Sequence, residues 1–99
     1  MSNDNANHTA HAFNEAIIKQ IGHYYPGAIK GNIEHNAAAA AALSVALGGL
    51  LAFAFRLNGE VVGRSVLQAV VSDICKNATA IDAKAGELIR ANLPKVLLN

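Results

Sequence analysis

The stretch YYPGAIKGNIEHN, residues 24–36, gathers the side chains best suited to chemistry in this sequence: two tyrosine rings, a lysine, an acid, a histidine and two asparagines. Aromatic rings stack on planar ligands, and Lys30 supplies a cation. The stretch also leads into a helix N-terminus, where free N–H groups and the helix dipole favour an anion. Asn32 is placed to cap that helix, with Glu34, His35 and Asn36 in its first turn. These are the parts of a nucleotide or small-anion site, and equally those of a solvated loop that caps a helix. Arg56 and Arg64 stand near the other end of the same helical stretch, as a second polar cluster or as plain surface charges. The candidate ligand-binding residues are therefore Tyr24, Tyr25, Lys30, Asn32, Glu34, His35, Asn36, Arg56 and Arg64.

Other constellations carry less. His8 and His11 sit three apart, a helical spacing, but a zinc site takes three or four ligands and no Cys pair or carboxylate stands at matching spacing, so no metal site is expected. Cys75 lies among Val71 and Ile74 and reads as a small core residue. Ser65 reads as a cap and Ser72 as a surface residue, and neither has the neighbouring base that nucleophilic catalysis requires. Gly48, Gly49, Gly59 and Gly63 lack the spacing and the Lys-Ser/Thr of a phosphate loop. If the chain were an enzyme with a site between subunits, His35 and Glu34 would be its acid–base pair. No catalytic set and no cofactor site is assigned.

Composition narrows the class. A chain of 99 residues makes one domain with a modest core. Hydrophobic residues are 53% and charged residues 15%, against about 25% charged in typical soluble domains. Some apolar surface is therefore expected to be covered by another copy, a partner or lipid. The net charge of +1 and the lack of a basic block argue against nucleic acid, which is held by clustered Lys and Arg. The short turn between the last two helices resembles a helix-turn-helix connection only loosely, since AIDAKAGE opens on an acid where base edges call for Arg, Asn or Gln. One cysteine forms no internal disulfide, and the N-terminal residues lack the charged-then-apolar pattern of a secretion signal. An intracellular, cytoplasmic protein is expected.

The elements that must position the candidate residues are helical. Residues 1–8 are polar and are expected to form a disordered tail before a single helical domain over 9–99. Thr9 caps a first helix to about Tyr24, with Phe13, Ile17, Ile21 and Tyr24 on one face. Pro26 and Gly27 stop it. A central Ala/Leu/Gly-rich helix covers about 33–57, with a Leu43, Leu47, Leu50, Ala54, Leu57 seam and a small-residue stripe of Ala37, Ala41, Ser44, Gly48 and Ala52. Gly48 and Gly49 weaken a helix interior and are read as a close crossing. Asn58-Gly59 admits a hairpin over 51–66, but a helix end at Gly59 is preferred. A third helix starts at Gly59 or Ser65 and ends near Lys76-Asn77. Thr79 caps a fourth, whose inner face is Ile81, Ala85, Leu88 and Ile89 and which Pro94 closes. The apolar terminal KVLLN docks on the body or on a partner.

Residues 37–55 are nineteen residues without a charge, and about 20 apolar residues span a bilayer. Nine of the nineteen are alanine and only seven are strongly apolar, worth roughly −2 to −4 kcal/mol on an insertion scale. Lys30 and Arg56 flank the run on opposite sides and set no orientation. The expectation is an all-α protein, a compact bundle of about four helices, homo-oligomeric, with the run buried on every side. It would act by binding a protein partner or sequestering a small anionic ligand. The alternative is a membrane-inserted protein spanning through residues 37–55.

Overall fold

The computed structural model describes residues 3–97. It is all-α, 90% helical, with no strand among the described residues. The elements are α1 (Asn3–Tyr24), α2 (Ile33–Ile81) and α3 (Ala83–Leu97). Met1 and Ser2 of the expected tail, and Leu98 and Asn99 of the apolar terminal stretch, lie outside the described residues. The chain divides into two compact units, Met1–Leu47 and Gly48–Asn99.

In the first unit, α1 begins at Asn3, ahead of the expected cap Thr9, and ends at Tyr24 just before Pro26-Gly27, where the missing proline N–H and the pre-proline restriction stop it. Its apolar stripe of Phe13, Ile17, Ile21 and Tyr24 faces Ala39, Ala42, Leu43 and Ala46 of α2. Those four positions follow i, i+3, i+4, i+7, the spacing of one helix face. The small-residue stripe of Ala37, Ala41 and Ser44 lies on the opposite side of the helix by the same count and is exposed. Ala28 and Ala39 are the buried apolar residues of this unit.

In the second unit, α2 is interrupted at Gly59, whose φ of 85° and ψ of 174° belong to a region open essentially to glycine alone. The hairpin alternative is not formed; helix stands on both sides of Asn58-Gly59. Beyond the break the chain folds so closely over Phe55 that a Cβ placed on Gly63 would lie 2.5 Å from its ring. The helix then runs past Lys76-Asn77 to Ile81. Thr79 is not a cap: its hydroxyl donates to the Cys75 carbonyl inside the helix, at 2.7 Å. The cap is Asp82, whose Oδ1 accepts the Ala85 N–H at 3.0 Å. Pro94 lies inside α3, which continues to Leu97. Cys75 is buried, as expected of a small core residue, beside the contact of Thr79 with Gly86. Ile81, read as inner, is 89% exposed.

Two expectations about the central helix are corrected. Nothing in the chain itself lies within 4 Å of a Cβ built on Gly48 or Gly49, so the pair makes no close crossing within one copy; Gly27, Gly63 and Gly86 make the close approaches there. Nor does one copy of the chain bury residues 37–55 on every side. Val45 is 77%, Leu50 68% and Phe53 58% exposed, and Leu57 just beyond is 73% exposed. Within the first unit α1 lies along one face of α2, at Ala39–Ala46, whereas a helix that is apolar all round needs burial on every side.

Candidate functional site

The described structure divides the candidate residues into three groups. The first is spent on closing the loop between α1 and α2. Asn32 Oδ1 accepts the His35 N–H at 3.1 Å, which is the N-cap geometry expected. The Gly27 N–H donates to His35 Nδ1 at 2.9 Å, and Asn36 Nδ2 donates to the Ala28 carbonyl at 3.0 Å. Backbone bonds from Lys30 and Asn32 N–H to the Gly27 carbonyl, each 3.1 Å, complete the turn. Gly31 takes φ 94°, the conformation glycine adopts without steric cost. Gly27 has no room for a side chain, since a Cβ there would lie 2.6 Å from Asn32 Cβ.

His35 is thus a structural acceptor. Its Nδ1 is engaged by the Gly27 N–H, which puts the ring hydrogen on Nε2 in the neutral form. Its ring meets that of Tyr25 edge-on, with centroids 6.5 Å apart. Replacing His35 with alanine is expected to leave the Gly27 N–H unpaired at a part-buried site, costing about 1 kcal/mol. Amide hydrogen exchange at Gly27 is expected to rise about fivefold, which is that cost converted at the amide. Unchanged exchange there would remove His35 from the latch.

The second group lines an apolar groove of about 310 Å³ in the first unit. One wall is α1, through Phe13, Ile17, Ile21 and Tyr24, with Gln20 and Tyr25 beside them; the floor is Ala39, Ala42 and Ala46. The structure therefore separates the tyrosines from Lys30, which does not line the groove. Tyr24 also packs edge-on against His23, centroids 4.8 Å apart. Lys30 and Glu34 are exposed.

The third group belongs to the other unit. Arg64 forms an exposed i,i+4 ion pair with Glu60, worth little on a helix surface. Arg56 is exposed. Elsewhere, His11 contacts Glu15 at 2.9 Å, also exposed. Among the described residues no three of His, Cys, Asp and Glu stand close enough to hold a metal ion.

The alanine floor was not singled out from the sequence as a site. Its signal is there, since Ala39, Ala42 and Ala46 complement the α1 stripe at helical spacing, but Ala39 and Ala42 lie inside six consecutive alanines, where any face has the same composition. Comparison of this chain with protein-family models, with curated proteins and with solved structures finds no match.

Proposed function

We propose that this chain is a soluble helical protein that acts by binding rather than by catalysis, and that it associates with copies of itself. The observation that carries the reading is the bare face of Leu50, Phe53 and Leu57. Their i, i+3, i+7 spacing sets them on one side of the helix, and each is more than half exposed. Exposed apolar clusters of that kind mark interaction surfaces. The chain supplies helical rods over 3–24, 33–58, 60–81 and 83–97, and association would complete a helical bundle around α2.

One observation favours a membrane span instead: α2 is long and apolar enough to cross a bilayer. Against it stands α1. Glu15 and Lys19 fall between the α1 residues that face Ala39–Ala46, so a span through 37–55 would draw them toward hydrocarbon. Each charge at the centre of a span costs about 2.5–3.5 kcal/mol, as much as the whole run gains.

The test is a double variant, Leu50→Gln with Phe53→Gln, studied by light scattering without detergent. The wild type is expected to scatter as an oligomer and the variant at half that mass or less, with helicity retained. Equal masses for the two would sink the assignment of this face.

A further inference from the structure

We infer that the groove between α1 and the start of α2 is a binding site for a small, uncharged hydrophobic molecule, of the size of one acyl chain or a fused bicyclic ring. This rests on the reading of the chain as a binding protein, but not on its self-association.

Three features of the groove select the ligand. The first is volume: about 310 Å³ falls at the lower end of small-molecule pockets, which start near 300 Å³. The second is the floor. Ala39, Ala42 and Ala46 keep it low, while Phe13 and Tyr24 stand beside it, each 68% exposed. Large side chains on one wall and methyl groups beneath leave space that the chain itself does not fill. The groove is open, so water covers these apolar walls, and an apolar guest that displaces it removes that surface from water.

The third feature is charge. No Asp, Glu, Lys, Arg or His lines the groove; its side chains able to hydrogen-bond are Gln20, Tyr24 and Tyr25. An anion seated there would lose hydration without gaining a cation, which is strongly unfavourable. The groups that would have welcomed an anion are placed elsewhere. Lys30 does not line the groove, and His35 Nδ1 is occupied by the Gly27 N–H. The ligand chemistry complementary to these walls is therefore neutral and apolar, in place of the small anion that the residue types of 24–36 suggest.

The experiment uses the full chain in detergent-free buffer with two fluorescent probes of similar size, neutral N-phenyl-1-naphthylamine and anionic 8-anilinonaphthalene-1-sulfonate. The neutral probe is expected to bind saturably, one per chain, and at least tenfold tighter than the anionic one. Ala42→Leu and, separately, Ala46→Leu fill the floor and are expected to weaken it at least tenfold while far-ultraviolet circular dichroism keeps its helical amplitude. Either variant that stays folded suffices. The proposal is overturned if the neutral probe does not saturate, if the anionic probe binds as tightly, or if the filled grooves bind unchanged, which would place the probe on another apolar face. Probe affinity that falls as the protein associates would also overturn it, because a second copy would then be the occupant. Light scattering on the same samples reads self-association separately, so the site and the assembly fail independently.

Discussion

Gly86→Ala is expected to be among the most damaging single-methyl additions to this chain. A Cβ at Gly86 would meet Thr79 Oγ1 head-on and lie 2.7 Å from the Thr79 Cα. The hydroxyl could swing away, at the loss of its bond to the Cys75 carbonyl. The Cα cannot move without its helix. The substitution therefore pushes α3 off the end of α2 beside Cys75, the buried apolar residue of this unit. Overpacking of this kind costs about 1–3 kcal/mol, partly offset by alanine's better helix propensity. A loss of about 2 kcal/mol corresponds to a fall in melting temperature on the order of 10 °C for a chain of this size. Calorimetry on Gly86→Ala, Thr79→Ala and Thr79→Ala/Gly86→Ala decides the cause, with the double variant read against Thr79→Ala, because alanine at 79 removes Oγ1 and keeps the backbone. Because the clash is with backbone, the double variant is expected to recover less than half of the loss. Full recovery would locate the clash in the side chain alone.

Gly59→Ala is expected to change the path of the chain as well as its stability. At φ 85° and ψ 174° an L-residue costs about 1–3 kcal/mol, and nothing near Gly59 crowds a Cβ, so the cost is purely conformational. Alanine also favours an unbroken helix by about 1 kcal/mol over glycine. Both effects act against the fold-back that brings Gly63 onto the Phe55 ring. The nuclear Overhauser contact between that ring and the Gly63 α-protons is expected to weaken or vanish in Gly59→Ala. D-Alanine at position 59, introduced by semisynthesis, accepts positive φ and is expected to restore it. A contact that persists at full strength in the L-alanine variant would show that the break does not depend on glycine.

Much of the local architecture is legible in the residues themselves. The α1 stripe, its stop at Pro26-Gly27 and the Asn32 cap follow from side-chain periodicity, proline's missing donor and an asparagine at the right place. The structure differs where two local signals compete. Thr79 and Asp82 are both good caps, and the choice depends on whether the Thr79 hydroxyl finds a carbonyl within its own helix, as it does at Cys75. Asn58-Gly59 suits a hairpin or a helix break, and only the flanking helices decide. Pro94 reads as a stop, yet it is exposed, where water can satisfy the carbonyl it leaves without a donor.

The glycines show the same limit more sharply. Gly48-Gly49 looks like a crossing because it interrupts strong helix formers, but nothing approaches it. Gly27, Gly63 and Gly86 are the crowded ones, and a close approach is a property of two segments that no single segment announces. For the candidate site, the residue types in 24–36 point to an anion. The structure engages Asn32, His35 and Asn36 in the hydrogen bonds that close the loop and leaves the tyrosines on an apolar groove without Lys30.

On the function proposed above, this chain binds as a soluble assembly held by its exposed apolar faces. The most direct test expresses it without detergent, separates membranes from the soluble fraction, and measures the soluble mass by size exclusion with light scattering. Recovery in the soluble fraction at twice the chain mass or more is expected. A soluble monomer, or protein extracted from membranes only by detergent, would contradict it.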